Sequence, residues 1–144
     1  MRTKLSFLVA FLLLTVSINA QNVIGKWKTI DDETNKEKSI VEIYEKGGKI
    51  FGKIVTLLNR EPGDEDPLCD KCTDDRKNKH LVGMEIIREM EKDGSEYEDG
   101  TIMDPNNGKI YDCKLWVDEN DSKVLNVRGY IAFFYRTQTW YRVE

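Results

Sequence analysis

The sequence predicts an all-β protein, folded as a single eight-stranded antiparallel up-and-down barrel. After residue 21, apolar and polar side chains alternate with a period of two, and turn-forming residues recur at regular spacing. No helical pattern is long enough to connect parallel strands. A chain of this size protects its sheet edges best by closing the sheet, although a two-sheet β-sandwich is an alternative.

Eight segments carry the strand pattern. They are residues 23–30, 40–44, 50–58, 81–90, 97–103, 109–117, 123–132 and 135–143. The second and third are joined by a hairpin turn, because Gly47 and Gly48 both tolerate a positive φ. Residues 59–80 form a long charged loop, and the fourth segment also fits one short helix. A barrel of eight strands is just wide enough for packed side chains or one small ligand.

The first twenty residues have the features of a secretory signal peptide. Arg2 and Lys4 precede an apolar stretch at 5–16, and Ala20 is the small residue expected before the cleavage site. The stretch is too short for the roughly 20 residues of a membrane-spanning helix. We therefore expect cleavage after Ala20, a single domain over residues 21–144, and a periplasmic or secreted protein with no membrane span.

The charge balance argues against a nucleic-acid-binding protein. Arg2 and Lys4 are the only charges in the first twenty residues, so the remaining chain carries 20 basic and 26 acidic side chains. A nucleic-acid-binding domain needs a basic stripe, and no such cluster is present. The composition also gives no sign of a cofactor, and we expect a monomer.

The three cysteines allow more than one chemistry. In an exported chain, a disulfide between Cys69 and Cys72 is favoured, because such proteins meet oxidising conditions. A zinc site of Cys69, Cys72, His80 and Cys113 has suitable ligand types but needs reduced thiols. A redox-active pair is disfavoured, because acidic neighbours such as Asp70 raise the pKa of a thiol. Cys113 is expected to be a buried apolar thiol.

Other candidate residues have a simpler structural interpretation. Asp104 opens the turn at 104–108, where Pro fixes φ and Gly108 takes the left-handed conformation. The acidic side chains of the 59–80 loop do not match the spacing of an EF-hand. His80 is the only histidine, and no serine lies in a nucleophile motif. We therefore expect no enzymatic activity, no catalytic residues and no metal.

The last two strands offer the better candidate site. Arg128 and Tyr130 alternate with apolar residues on one strand, and Arg136, Gln138 and Trp140 alternate with other residues on the next. With these side chains inside the barrel, the lumen gains cations and an aromatic wall suited to an anionic or amphipathic ligand. The alternative places them outside as solvated or stacked surface residues.

Both ends of the predicted domain resemble a known group of barrels. Gly25-Lys26-Trp27 is similar to the G-x-W signature of lipocalins and fatty-acid-binding proteins, and residues 139–144 are similar to their closing strand. The resemblance implies that Arg142 stacks over Trp27 and closes one end of the barrel, with Arg128 as the second candidate for this role.

A wider resemblance covers essentially all of the chain after the leader. It rests on Trp27 with Ile30-Asp31-Asp32, the segment 52–55, the Cys69-x-x-Cys72 pair, the segment 102–111 and the last two strands, in this order. The chain is identified in this way as a member of the secreted bacterial family called domain of unknown function 2147. The resemblance implies a small exported lipocalin-like barrel and no established activity. One departure is Tyr135, where family members usually carry Gly.

We therefore expect a non-enzymatic binder of a small amphipathic or anionic ligand. The expected lining consists of Arg128, Tyr130, Arg136, Gln138 and Trp140, while Trp27, Arg142, Asp104 and Gly108 are expected to be structural. The alternative is a protein-interaction or envelope-stress module with a side-chain-filled barrel, whose partner contacts the 59–80 loop. An enzyme is the third option.

Overall fold

The computed structural model describes residues 22–143, which form a closed antiparallel barrel. The strands are β1 (Gly25–Ile30), β2 (Glu37–Lys46), β3 (Lys49–Leu57), β4 (Glu85–Asp93), β5 (Glu96–Met103), β6 (Ile110–Val117), β7 (Val124–Ile131) and β8 (Phe134–Val143). Each strand pairs with the next, and β1 pairs with β8. The predicted barrel is confirmed, and the sandwich alternative is wrong. The predicted leader lies outside the described residues.

Tight turns set the register of the barrel. Gly47 and Gly48 have φ values of 60° and 79°, which is the backbone that a two-residue hairpin turn requires. The last hairpin has an equally short turn, in which Ile131 pairs with Phe134 and Ala132 takes a φ of 50°. Among residues 22–143, no helix is long and apolar enough to cross a membrane.

The fourth strand begins later than the sequence pattern predicts. It starts at Glu85 rather than at residue 81, and the short-helix interpretation of this segment is wrong. Residues 81–84 instead form a turn, in which the Met84 amide donates to the Leu81 carbonyl at 3.1 Å. Leu81 and Met84 are still buried, so their apolar pattern reflects packing of the turn against the barrel.

The two ends of the barrel differ in how they are filled. The cap end carries residues 22–24 and the turn at 118–123, and the mouth end carries the connections 31–36, 58–84, 104–109 and 132–133. From the cap end to mid-barrel the lumen is filled by buried side chains. They include Trp27, Val41, Ile43, Ile50, Met90, Cys113, Leu115, Val117, Leu125, Val127 and Trp140. Among the described residues, only the mouth end of the lumen is left as a candidate position for a ligand.

The long loop at 58–84 packs on the outer wall of the barrel. The predicted disulfide between Cys69 and Cys72 is confirmed, and both residues are buried. Cys72 Sγ lies 3.7 Å from Met103 Sδ. Met103 points outward, because the adjacent Ile102 lies on the inner face next to Gly129. The disulfide therefore fixes the loop beside β5 and keeps it on the outside of the barrel.

Candidate functional site

The cap end is closed by Trp27 and Arg142, which lie opposite each other on β1 and β8. The guanidinium of Arg142 lies 4.2 Å above the centre of the buried Trp27 ring. It also donates to the carbonyls of Asn22 at 2.7 Å, Ile24 at 3.1 Å and Ser122 at 3.2 Å. This side chain therefore holds residues 22–24 and the 118–123 turn against the indole.

The glycine of the Gly25-Lys26-Trp27 motif makes room for this contact. Gly25 has a φ of 136°, a backbone that residues with a Cβ rarely adopt. A Cβ at this position would lie 2.8 Å from Arg142 Nη1. The small residue lets the guanidinium reach the carbonyls of the N-terminal segment.

The structure separates the five predicted lining residues into two groups. Gln138 pairs with Val127 and Trp140 pairs with Leu125, so these side chains share the inner face with buried apolar residues. Arg128 instead pairs with Thr137 on the outer face.

Tyr130 likewise pairs with Tyr135, outside the barrel. The expectation of a single lining that includes Arg128 and Tyr130 is therefore wrong. The physical reason is the two-residue turn at 132–133. The turn places residue 131 opposite residue 134. Because successive side chains of a strand point to opposite faces, residues 128 and 130 then share the outer face, and residues 129 and 136 share the inner face. Arg136, two residues before Gln138, faces inward opposite Gly129.

A hydrogen-bonded chain connects the inward-facing group to the mouth. Trp140 Nε1 donates to Gln138 Oε1 at 3.1 Å, and Gln138 Nε2 donates to Asp32 Oδ2 at 2.6 Å. Arg136 Nη2 donates to the same carboxylate oxygen at 2.5 Å. Arg136 is 69 % exposed, so its ion pair with Asp32 is in contact with water. We call these four residues the Asp32 network.

The part of the lumen nearest the mouth end, which we call the upper lumen, is lined by apolar, aromatic and hydroxyl-bearing side chains and is partly accessible to solvent. Gly129 lies next to Tyr111 and Ile102. A Cβ atom added to Gly129 would lie 3.5 Å from the nearest atom of Tyr111 and 3.8 Å from that of Ile102. All three residues face inward and are still partly exposed. On the opposite wall, the buried hydroxyls of Thr29 and Ser39 are hydrogen-bonded at 2.7 Å. Solvent therefore reaches the inner face of the barrel at the three partly exposed residues, whereas their strand partners Ile87 and Cys113 are buried.

Asp104 and Gly108 lie in the turn between β5 and β6. The Asp104 carboxylate accepts a hydrogen bond from the Asn106 amide at 2.9 Å, and the Gly108 amide donates to the Asp104 carbonyl at 2.7 Å. Gly108 has a φ of 72°, and a Cβ there would overlap the Lys71 carbonyl. The turn is therefore also a contact point for the 58–84 loop.

The four residues of the possible zinc site do not come together. Cys69 and Cys72 are bonded to each other, and Cys113 is buried inside the barrel. Burial raises the pKa of the Cys113 thiol to about 12, so it stays protonated at neutral pH. His80 is exposed and lies 3.1 Å from an oxygen of Asp66. Among residues 22–143, no group of three or more metal-binding side chains is present.

A second concave surface lies outside the barrel, between the 58–84 loop and the outer faces of β2, β3 and β4. This cleft of about 540 Å³ contains several ion pairs. Asp75 accepts two hydrogen bonds from Arg88 at 2.8 Å and 2.9 Å, which lower the pKa of Asp75 to about 2. Arg76, which is 4 % exposed, binds the Asp74 carboxylate and the Glu85 carbonyl.

The carboxylate of Glu85 is also occupied by neighbours in this cleft. Burial alone would raise its pKa, but hydrogen bonds from Tyr44 at 2.5 Å and Lys46 at 2.9 Å lower it. The same environment raises the pKa of Tyr44, first through burial and then through its bond to Glu85. These charges are paired within the protein, and they attach the loop to the wall.

The sequence analysis did not place Asp32 or Tyr111 in the candidate site. The contact from Asp32 to Arg136 spans 104 residues and exists only because β1 closes on β8. No local pattern around Asp32 indicates this contact. The separation of Arg128 from Arg136, in contrast, could have been found from the length of the last turn.

Comparisons with known proteins agree with the observed fold. A family model described as an uncharacterized protein conserved in bacteria, domain of unknown function 2147, matches residues 25–142. The chain is also similar in structure to HP1028 of Helicobacter pylori, which is described as belonging to the lipocalin family. The TM-score is 0.72 and the sequence identity 19 %, over 85 % of this chain and 84 % of that one. No curated protein sequence matches the chain.

Proposed function

The chain belongs to the bacterial family called domain of unknown function 2147, and we propose that it is a non-enzymatic binder of a small amphipathic anion. The observation that carries the proposal is the exposure of inward-facing residues at the mouth end. Gly129, Tyr111 and Ile102 supply an apolar and aromatic wall there, and Arg136 supplies a cation. Lipocalin-like barrels of eight strands are compatible with one small ligand.

The geometry limits the ligand in size and position. Buried side chains fill the lumen from the cap end to mid-barrel, at the level of Val127 and Cys113, so a long chain cannot lie along the barrel axis. A ligand would sit in the upper lumen, with its apolar part on Tyr111 and Ile102. Its acidic group would meet Arg136 and the Gln138 amide, which now bind Asp32.

Asp32 then acts as the internal competitor of the ligand. Its carboxylate takes the position that the acidic group of a ligand would need. An exposed ion pair contributes only about 0–1 kcal/mol, so displacing Asp32 from Arg136 costs little. The displaced loop at 31–36 is exposed and returns the carboxylate to water.

The test uses anilinonaphthalenesulfonate, an aromatic anion whose fluorescence rises on binding. Arg136→Ala should weaken binding about tenfold, which corresponds to the ~1.4 kcal/mol of one charge-assisted hydrogen bond. Asp32→Asn should tighten it severalfold, because the competing charge is gone. Lys114→Ala is the matched control, because it also removes a cation that is paired with a carboxylate but lies on the outer face of β6, and it should leave binding unchanged.

A second pair of variants tests the volume of the upper lumen. Gly129→Val should fill the opening and abolish probe binding, while Asn126→Val adds a similar side chain to the outer face of β7 and should not. Unchanged binding in both Arg136→Ala and Gly129→Val would refute the proposal. Equal loss of probe binding and thermal stability in Arg136→Ala would instead assign that residue a structural role.

Export is part of the proposal. It is supported by the leader pattern of residues 1–20 and by the Cys69–Cys72 disulfide, since disulfides persist in oxidising compartments. Mass spectrometry of protein recovered without reductant from a bacterial periplasm should give a chain that starts at Gln21 and lacks two hydrogens. A full-length, reduced chain in the cytoplasm would contradict export. Binding of a partner by the 59–80 loop stays a prediction.

A further inference from the structure

The tip of the last hairpin is an exposed aromatic surface at the mouth end. Phe133 is 98 % exposed and Phe134 is 75 % exposed, and Ile131 and Tyr135 beside them are also exposed. Exposed apolar side chains that occur singly need no explanation, but a continuous group marks an interaction site. We refer to residues 131–135 as the aromatic tip.

The hairpin that carries the tip is cationic, although the protein as a whole is acidic. Residues 122–143 contain Lys123, Arg128, Arg136 and Arg142 and no acidic side chain. Two of these cations, Arg128 and Arg136, lie directly behind the tip on opposite faces of the hairpin. The carboxylates of Asp32, which binds Arg136, and of Asp112, which pairs with Tyr130, belong to other elements of the barrel.

Arg128 is held in place but keeps free hydrogen-bond donors. Its guanidinium lies 4.3 Å from the centre of the Tyr135 ring and 4.9 Å from that of Trp116. Its Nε donates to Thr137 at 2.8 Å. Within residues 22–143, its two terminal nitrogens have no hydrogen-bond partner. A fixed guanidinium with two free N–H groups matches the geometry of a phosphate.

We propose that the aromatic tip inserts into the surface of a phospholipid bilayer, with Arg128 and Arg136 at the level of the phosphates. Arg128 precedes the strand end at Ile131 by three residues, or roughly 10 Å of strand. This distance fits the depth of about 5–10 Å to which interfacial segments enter a bilayer. Phenylalanine is among the side chains with which interfacial segments enter the lipid, and Tyr135 has the amphipathic ring that favours the headgroup zone.

The size of the tip favours a bilayer over a protein partner. Two phenylalanines bury roughly 150–250 Å² each. A stable protein interface needs about 800 Å² from each partner, and the tip protrudes as a narrow turn. A lipid surface deforms around such a turn and requires no larger complementary area. Docking would also bring the mouth of the barrel close to the headgroups.

The test measures binding to vesicles of phosphatidylcholine that contain phosphatidylglycerol. Phe133→Ser combined with Phe134→Ser should weaken binding at least about tenfold, since each ring loses its burial in lipid. Arg128→Gln should weaken it about fivefold, close to the effect of one cation at a charged surface. The control combines Ile24→Ser with Tyr141→Ser, which removes two exposed apolar side chains near the cap end.

A local reporter separates the tip from the rest of the chain. All variants are prepared with the same N-terminus, determined by mass spectrometry, so that any contribution of residues 1–20 is constant. Phe133→Trp should gain fluorescence that brominated phospholipid quenches, beyond the quenching of the native tryptophans. Gly129→Val, which fills the lumen, should bind vesicles like the unmodified chain.

Either of two results would overturn the proposal. The first is equal vesicle binding by the double Phe variant and by the unmodified chain. The second is added fluorescence in the Phe133→Trp variant that brominated lipid does not quench. Loss of a protein partner in the double Phe variant with unchanged vesicle binding would assign the tip to a protein interface instead.

Discussion

The strongest stability prediction concerns Arg142 and the cap end of the barrel. Arg142→Ala removes three hydrogen bonds to carbonyls and the contact with the Trp27 ring. The site is half-buried, so each hydrogen bond contributes about 0.5–1 kcal/mol and the ring contact about 0.5–1 kcal/mol. Water can replace part of the lost bonding. We therefore expect the free energy of unfolding to fall by about 2–3 kcal/mol.

The matched control is Arg128→Ala. Arg128 also stacks on aromatic rings, but it donates a hydrogen bond to only one side chain, that of Thr137 on the outer face. Its loss should cost no more than about 1 kcal/mol, as is usual at the surface. Arg142→Lys keeps the charge but cannot reach three carbonyls at once, so its stability should lie between that of Arg142→Ala and that of the unmodified chain.

Equilibrium unfolding in urea, followed by tryptophan fluorescence, measures the free energy of unfolding of each variant. The slope of the free energy of unfolding against urea concentration should be the same for all variants, because the same surface is exposed on unfolding. A melting temperature lower by about 4 °C for each kcal/mol should accompany the change. If Arg142→Ala and Arg128→Ala agree within about 0.5 kcal/mol, the cap is not a stabilising element and the reasoning fails.

Two further predictions follow from the pKa shifts. The pKa of Asp75 is depressed from 3.8 to about 2 by Arg88, so this pair stabilises the fold above pH 4 and its contribution disappears as the pH falls towards 2. In Asp75→Asn, the free energy of unfolding in urea should depend less on pH between 4 and 2 than in the unmodified chain. An unchanged pH dependence would contradict the assignment of this stability to the Asp75–Arg88 pair. Burial raises the pKa of Cys113 to about 12, so native protein should resist iodoacetamide and unfolded protein should take up one equivalent by mass. Rapid labelling of the native chain would show that the barrel interior beside β6 opens to solvent.

Strand positions could be predicted from the sequence because they depend on local periodicity. Alternating apolar residues and turn residues located all eight strands to within a few residues, as in the hairpin at Gly47 and Gly48. The pattern misplaces the start of β4, because Leu81 and Met84 are buried in a turn rather than in a strand. An apolar pattern reports burial, and the backbone conformation has to be judged from the turn residues as well.

Periodicity alone does not show which face of a strand points into the barrel. The pairing with the neighbouring strand is also needed. The two-residue turn at 132–133 sets the pairing of β7 with β8, and this pairing places Arg128 outside and Arg136 inside. The Asp32 network could not be predicted by any local argument. It depends on closure between β1 and β8, which brings together residues from opposite ends of the chain.

The distribution of polar groups along the barrel explains why stability and binding can reside in separate parts of it. Around Trp27 and Leu125 the lumen is closed and apolar, so substitutions there act on folding. Towards the mouth, Arg136 and Gln138 bind an acidic side chain that water can also solvate, so the ligand that we propose would displace it at low cost. The aromatic tip contributes little to the core, because Phe133 contacts mostly solvent. Variants at the mouth and tip should therefore fold normally, and a change in their binding can be attributed to the surface itself.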